Sequence, residues 1–481
     1  MTHRVEPDFP LPSGQRRNVL FVALDGAVIG LMSAAASFVS VWVVRLGASP
    51  FWVSLLSSMP STIALIMTMP WSAFVARQRH PQRVFAFARL AVHTIYPLVA
   101  VVPFFLPQEW AARVIVLIWA CSAFPSSLSN IMFTLVMGNA VPGEKRAFLM
   151  SRRWMVMGLA NLVALPIVSQ VIDRITFPHG YQLVYGINGL LAVLAFYLAM
   201  QLRVAETEPA APAARAPAPQ RLRNAIEEVR AHRDFLVFVG GRGVLNLGLT
   251  LISAAVPIYW VQHLQATDAW VGYFNSAASA ATLIAYIPWV RIKRRYGTRS
   301  TLLPAVLAAA LYPALLALTR TPAAVLPAIA LNGFAGAGIN LAFFDALLEA
   351  VPRGREARFV AINMTVVNLA GVIGPTLGAA LVNGLPIRAV FVASTLVALG
   401  GVAIFAFLSP RRRPGEAAAG QAVASEQVVA AEKAVAAEEA VAAEEAVAAE
   451  EAMAAEEAMA AGGAAAEEAT APAEAMSEEE A

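Results

Sequence analysis

The sequence contains few side chains that could do chemistry, and two of them interrupt long apolar runs. Asp25 lies about six residues into the first run and Arg242 about seven into the seventh, so each is about 10 Å deep at 1.5 Å per residue. An ionisable side chain costs roughly 2.5–3.5 kcal/mol inside an apolar span, which favours a functional role. Asp25 could exchange a proton, or could contact a substrate together with Arg242. The alternative is a static ion pair that only fixes helix packing.

A second pair of acids lies near the end of the tenth apolar run. Asp345 and Glu349 are four residues apart, so a helix places both on one face. The basic loop after the eighth run contains Arg294 and Arg295, which could form ion pairs with these acids. We favour such a latch between helix ends over a proton relay, because charged groups at the end of a span reach water or bases easily.

Neutral polar residues within the runs could hydrogen-bond a substrate, namely Asn246, Asn275, Asn340 and Asn363. Each could instead tie two helices together, as asparagine does in membrane proteins. The sequence has no phosphate-binding GxxxxGKS loop and no Cys or His cluster with metal spacing, and its single cysteine is Cys121. These residues therefore predict no enzyme activity, no cofactor and no metal site.

The composition is that of a membrane protein. Of the 481 residues, 58% are hydrophobic and 14% are charged, and the mean hydropathy is +0.63. Soluble domains have about 45–50% apolar and about 25% charged residues. Because about 20 apolar residues of helix cross a bilayer, the runs predict an all-α membrane protein with twelve transmembrane helices. The predicted spans 1 to 12 are 19–44, 51–75, 84–106, 112–138, 147–171, 182–202, 235–262, 269–290, 300–319, 324–349, 358–383 and 388–408.

The basic residues predict the orientation, because Lys and Arg accumulate in short cytoplasmic loops. With the N-terminus inside, only five of the 35 Lys and Arg residues fall on the other side. These five are Arg45, Arg113, Arg174, Arg320 and Arg388. We therefore expect a multi-pass protein of the plasma membrane, with both termini and the joint between spans 6 and 7 in the cytoplasm.

The spans divide the chain into five segments. They are a cytoplasmic N-terminus (1–18), a six-helix bundle (19–203), a cytoplasmic linker (204–234), a second six-helix bundle (235–408) and an acidic tail (409–481). The tail repeats AVAAEE and holds 17 acidic and 4 basic residues. Its period of six gives a helix no continuous apolar face. We favour a solvated, low-complexity extension over a tail that contacts the basic loops.

The second half of the chain repeats the first. MPWSAFVARQRHPQR at 69–83 matches IPWVRIKRRYGTR at 287–299, with an offset of 218 between the Pro-Trp pairs. AVPGEKRAF matches AVPRGREARF at an offset of 210, and ALDGAVIG around Asp25 matches GGRGVLNLG around Arg242 at an offset of 217. Three matches in the same order indicate a duplication. Since six spans is an even number, the two halves have the same orientation in the membrane.

These features resemble the major facilitator superfamily over about residues 17–410. The similarity rests on twelve spans, the long joint after span 6 and the basic loops after spans 2 and 8. It implies two bundles that rock about a midplane site and open it to each side in turn. In that family, spans 1 and 7 line the central cavity from opposite halves. We therefore expect Asp25 and Arg242 to face each other and to pair when the cytoplasmic side closes.

A loop motif of the family is present in altered form. Members carry G-x-L-x-D-R-x-G-R-R after span 2, echoed after span 8. Here the second copy keeps Arg295, Gly297 and Arg299. The first copy keeps Arg77 but has Ala76 in place of the acid. We therefore expect a cytoplasmic gate to depend on the second copy and on the acids of span 10.

A glycine motif lies in span 11, in the stretch GVIGPTLG. Its members are Gly371, Gly374, Pro375 and Gly378. It resembles a motif that many drug/proton antiporters of the family carry in span 5. Small residues let two helices approach closely, and the proline allows a bend. Because the motif lies in the other half, it weakens an antiporter assignment.

The resemblance implies a secondary active transporter of a small organic solute that works by alternating access as a monomer, with protons as the candidate coupling ion. Apolar and Asn side chains and one charge pair in the cavity helices favour export of an amphiphilic or uncharged compound. The alternatives are an uptake permease for a small metabolite, or a non-transporting assembly or sensor protein on the same scaffold. Partners are then the substrate and the bilayer, and no nucleic acid is expected.

Overall fold

The computed structural model describes residues 13–75, 77–141, 146–204, 232–351 and 356–408. The chain separates into two units, Met1–Pro410 and Arg411–Ala481. The predicted tail (409–481), most of the predicted linker (205–231) and Ala76 lie outside the described residues. Every regular element in the described part of the chain is a helix, which confirms the predicted all-α fold class.

The helices follow the predicted spans and keep their numbers here. They are Ser13–Ala36 and Val39–Arg45 (span 1), Pro50–Val75 (span 2), Pro81–His93 and Ile95–Phe105 (span 3), Gln108–Ala140 (span 4), Arg146–Arg174 (span 5), His179–Met200 (span 6), Arg233–Leu251 and Ala255–Ile258 with the π-helical Tyr259–His263 (span 7), Asp268–Leu318 (spans 8 and 9), Pro322–Ala350 (span 10), Glu356–Gly384 (span 11), and Ile387–Ala403 with the π-helical Ile404–Leu408 (span 12).

By length and composition, eleven helices of the described chain can cross a membrane, because spans 8 and 9 form one segment of 51 residues. That segment is interrupted at Gly297, whose φ of 83° and ψ of 177° are not helical and favour glycine. Ala285 and Ala305 would be about 30 Å apart in a straight helix. Both instead pack with Ala337 in one cluster, so the segment folds back at Gly297. The count of twelve stays a prediction.

The two ends of the bundle are defined by contacts between span ends. At the terminal end, where span 1 begins, Asn18 donates to the carbonyls of Ala140 and Arg203. At the opposite end, called distal here, Arg45 near the end of span 1 contacts Asp268 at the start of span 8. The ends of spans 4 and 6 therefore lie with the start of span 1, and the start of span 8 lies with the end of span 1, as the predicted topology requires.

Spans 1 and 7 are broken at equivalent positions. The helix of span 1 stops at Ala36 and resumes at Val39, and that of span 7 stops at Leu251 and resumes at Ala255. At each break a backbone N–H donates a hydrogen bond to the carbonyl three residues earlier. Phe38 donates to Ala35 in span 1, and Ser253 donates to Thr250 in span 7. The duplication seen in the sequence therefore extends to an irregularity of the backbone.

The two halves share a buried core only in the distal part of the described structure. That core combines residues of both halves, such as Trp42, Tyr181, Tyr259 and Phe391. At the terminal end, one cluster lies within residues 19–202 and another within residues 235–405. Contacts between the halves reach the middle of the bundle, where Ser61 of span 2 meets Gly371 of span 11. The halves therefore close together distally and separate towards the terminal end.

Glycines of span 11 lie where this helix touches its neighbours. A Cβ at Gly374 would meet Thr250 of span 7, and a Cβ at Gly378 would overlap the carbonyl oxygen of Leu251. Span 11 thus uses small residues to approach span 7 closely.

Gly378→Ala is expected to destabilise the protein by about 1–3 kcal/mol, because the added methyl group overlaps backbone that cannot move aside easily. Thermal unfolding of the purified protein measures the effect. Gly336→Ala is the matched control, since no atom lies within 4 Å of the added methyl group; there we expect about 0.5–1 kcal/mol of stabilisation. Equal unfolding of the two variants would contradict the packing role of Gly378.

Candidate functional site

Asp25 lies at the centre of a buried charge cluster within the first half. Its Oδ1 is 2.8 Å from a terminal nitrogen of Arg89 in span 3, and its Oδ2 is 3.4 Å from Nε of Arg153 in span 5. The exposed fractions of Asp25, Arg89 and Arg153 are 3%, 5% and 4%. The cluster therefore joins spans 1, 3 and 5 and holds two bases against one acid.

Asp25 and Arg242 do not pair in this structure, and the pairing predicted for a closed cytoplasmic side stays a prediction. Asp25 pairs with two bases of its own bundle, because spans 3 and 5 bring those bases close to span 1. Sequence reasoning missed Arg89 and Arg153, although both interrupt apolar spans and a charge in such a place favours a functional role.

Arg242 is held by spans 10 and 11 of the second half. It is partly buried, and a terminal guanidinium nitrogen donates to Oδ1 of Asn363 at 3.3 Å. Its guanidinium carbon lies 4.6 Å from the ring centre of Phe343, a cation–π distance. The structure thus brings together two of the predicted site residues, Arg242 and Asn363.

The two halves contain equivalent arginine–phenylalanine pairs. The guanidinium carbon of Arg153 lies 4.6 Å from the ring centre of Phe133, and Phe133 and Phe343 are 210 residues apart, an offset of the duplication. The arginine comes from span 5 in the first half and from span 7, the equivalent of span 1, in the second. In the first half, the carboxylate of Asp25 lies beside the arginine of this pair. In the second half, the position equivalent to Asp25 is occupied by Arg242, so the duplication supplies no acid there.

Span 7 presents Arg242 and Asn246 on one face. It packs against span 12 through Gly241, Leu245 and Gly248, and against span 11 through Gly243, Leu247 and Thr250. At 100° per residue, Arg242 and Asn246 share the face that these contacts leave. Asn246 is partly buried, and Asn340 on span 10 is exposed.

One acid of span 10, Asp345, meets the basic loop after span 8. Lys293 forms the ion pair with Asp345, adjacent to the predicted Arg294 and Arg295. The guanidinium of Arg295 lies 5.3 Å from the ring centre of Tyr296. The side chain of Glu349 lies outside the described part of the structure, so its place in the latch stays a prediction.

The remaining residues of the loop motif lie at the terminal end. Gly297 forms the fold-back described above, and Arg299 donates to the carbonyl of Ala406 in span 12 at 3.1 Å. Arg77, after span 2, is exposed. The second copy of the motif thus ties span 9 to span 12.

A distal bridge joins the two halves, and sequence reasoning did not find it. Nε of Arg45 lies 3.1 Å from Oδ1 of Asp268, which also accepts a hydrogen bond from the hydroxyl of Tyr181. The backbone N–H of Asp268 donates to Asp173 at 3.2 Å, and Arg45 donates to the carbonyl of Ala266 at 2.7 Å. A signal was available, since Arg45 is one of the five bases on the non-cytoplasmic side of the predicted topology.

Within the described residues, no group of three or more His, Cys, Asp or Glu side chains could hold a metal ion. The described residues offer ion pairs in the first half and a guanidinium group beside an amide in the second. Such groups can bind and orient a polar solute.

Comparisons with known proteins agree with this architecture. The family model of the Major Facilitator Superfamily matches residues 238–449. No curated protein matches the sequence. The fold resembles that of a bacterial homologue of the iron transporter ferroportin, with a TM-score of 0.63 at 14% identity over 82% of this chain and 99% of that one.

Two further solved structures share the fold. The nucleoside transporter NupG has a TM-score of 0.60 at 13% identity, covering 82% of this chain and 100% of its own. The xylose transporter XylE from E. coli has a TM-score of 0.59 at 14% identity, covering 82% of this chain and 96% of its own. This fold is that of a multi-pass membrane protein, and the solved structures that share it are transporters. The family match covers less than half of the chain, and this chain resembles the major facilitator superfamily in that part of its sequence and in its fold.

Proposed function

We propose that this protein moves a small organic solute across the membrane by alternating access, through the space between its two halves. The proposal rests on the distribution of buried residues between the two halves. The halves share buried residues in the distal part, whereas each has its own cluster at the terminal end. A solute can then enter from the terminal end and reach Arg242, while the distal bridge blocks the other exit.

The terminal end faces the cytoplasm in this proposal, and the membrane is the plasma membrane. Support comes from the basic loop residues, which gather at that end and include Arg77, Lys293 and Arg295. The structure then corresponds to an inward-facing state. Two of the similar structures carry that description, the ferroportin homologue as inward-facing and the xylose transporter as inward open.

Two directions of transport remain as alternatives. Export of an amphiphilic compound and uptake of a small metabolite both fit a cavity that opens to one side. Proton coupling through Asp25 also stays a prediction, and its two arginine contacts give this carboxylate a structural role that needs no proton exchange. A sensor role for the acidic tail falls on residues outside the described part of the chain.

Flux through the purified full-length protein in liposomes tests the proposal. Candidate solutes are first selected by their effect on thermal unfolding, because a ligand that binds the folded state raises its stability. Selected solutes are then followed in both directions with an imposed pH gradient. We expect saturable flux of a stabilising solute and net export or uptake that follows the gradient. Stabilising solutes that cross no faster than in protein-free liposomes would contradict a transporter.

A further inference from the structure

The polar groups in the terminal part of the bundle carry an excess of positive charge. Apart from the charges at the span ends, such as Lys293 and Asp345, the spans there carry three arginines, Arg89, Arg153 and Arg242, and one acid, Asp25. Asp25 is shared by Arg89 and Arg153. Among the described residues, no carboxylate pairs with Arg242. A partly buried guanidinium without a counter-ion is unusual, because charges are buried at low cost only when they are paired.

The surroundings of Arg242 also contain hydrogen-bond donors without acceptors. Nε of Arg242 and Nδ2 of Asn363 are buried and have no hydrogen-bond partner in the described structure. Asn363 is fully buried, with an exposed fraction of 0%. Its amide orientation is fixed, because Oδ1 must point to the guanidinium, which can only donate. The site therefore presents donors from two side chains and lacks an acceptor.

The first half shows what is missing from the second. Its guanidinium lies over Phe133 and has the carboxylate of Asp25 beside it. In the second half, the guanidinium lies over Phe343 at the same 4.6 Å distance, and no acid accompanies it. An acidic group from outside the protein would complete the second site in the way that Asp25 completes the first.

We propose that Arg242 and Asn363 bind the anionic group of the transported solute, a carboxylate or a phosphate ester. This inference rests on the proposed transport function and names its substrate class. Phe343 holds the guanidinium from one side, and Arg242 is partly exposed; a guanidinium group can bind the two oxygens of such an anion together. Asn246, one turn further along the same face of span 7, can bind a second polar group of the solute. An amphiphilic anion fits this site, and an uncharged compound does not.

The test measures thermal unfolding of the purified full-length protein with matched probes. Benzoate and phenyl phosphate are the anions, and benzamide and phenol are their neutral counterparts. We expect at least one anion to raise the Tm by roughly 2–4 °C at saturation, and neither neutral compound to do so. The anion that acts distinguishes a carboxylate site from a phosphate site.

Variants tie the effect to the proposed residues. Arg242→Gln is expected to abolish the Tm response to the anion. Asn363→Asp supplies the missing acid, so it should also abolish the response while leaving the unliganded Tm at or above the wild-type value, which shows that the variant is folded. Arg113→Gln is the control, because Arg113 lies over the ring of Trp110 at a similar 4.8 Å near the start of span 4, away from the site. It should keep the full response.

The inference is overturned if neutral probes stabilise as well as anions, if no anion acts, or if Arg242→Gln keeps the response. Its failure is distinguishable from failure of the transport function. If the flux of a neutral solute is unchanged in Arg242→Gln, the transport function is supported and the anion site is ruled out. If the Tm response to anions depends on Arg242 but no gradient drives flux, the anion site is supported and the transport function is ruled out.

Discussion

Asp25→Asn is expected to destabilise the protein by about 3–5 kcal/mol, because it leaves the guanidinium groups of Arg89 and Arg153 buried without a counter-ion. Both are at most 5% exposed, so neither can reach water by a change of rotamer. The substitution keeps the shape of the side chain, removes its charge and replaces one acceptor oxygen with an amide NH2 group. Thermal unfolding of the purified protein and its yield in monodisperse form measure the loss.

A compensating change separates this charge effect from other damage. Adding Arg153→Gln to Asp25→Asn removes one of the unpaired charges, so the double variant should recover part of the lost stability. Asp345→Asn is the matched control, since Asp345 also pairs with a base but is 29% exposed in its side chain; we expect a cost of about 1 kcal/mol or less. An Asp25→Asn protein that unfolds like the Asp345→Asn protein and transports normally would contradict the cluster's role.

Asp268→Asn is expected to shift the protein towards a state that is open at the distal end. The substitution removes the only carboxylate that pairs with Arg45 in the described structure and weakens the contact with Tyr181. Hydrogen bonds to charged groups contribute about 1.5–3 kcal/mol, so the ratio of open to closed molecules should rise roughly 10- to 150-fold. Only interactions between the halves change, so the effect should appear in the conformational equilibrium more than in unfolding.

Labelling of a cysteine at the bridge measures this shift. Ala266 is 1% exposed, and Ala266→Cys in a Cys121→Ser background places one thiol behind the closed bridge. A maleimide that cannot cross the membrane, added from the outside, should react faster when Asp268→Asn is also present. Tyr181→Phe, which removes a single hydrogen bond, should give an intermediate rate. Arg174→Gln, a change at an exposed distal base, should leave the rate unchanged; equal rates in all variants would rule out a bridge that controls access.

Much of the fold could be predicted from the sequence, because apolar runs, basic loops and internal repeats are local signals. The two partners of Asp25 could not be predicted from such signals. Arg89 and Arg153 are 64 and 128 residues away, and only the packing of spans 3 and 5 against span 1 brings them together. The equivalence of Asp25 and Arg242 placed both residues at similar depths. It did not show which way each side chain points, and each binds within its own half.

The candidate site was predicted in its parts and not in its arrangement. Arg242 and Asn363 could each be identified as a polar interruption of an apolar span. Their contact needed the close packing of spans 7 and 11, which depends on glycines such as Gly374 and Gly378. The distal bridge was missed because Asp268 lies at the start of a span, where an acid beside a helix N-terminus is common and needs no special explanation.

The breaks in spans 1 and 7 give the distal closure its own pair of hinges. The short segments beyond them, Val39–Arg45 and Ala255–His263, contact each other across the two halves. At each break the regular pattern of helical hydrogen bonds is already interrupted. An outward rotation of the short segment therefore does not require a continuous helix to bend. The long segments, including the one that carries Arg242, can keep their packing while the short ones part. In the proposed transport cycle, we therefore expect distal opening to leave the packing within each bundle intact.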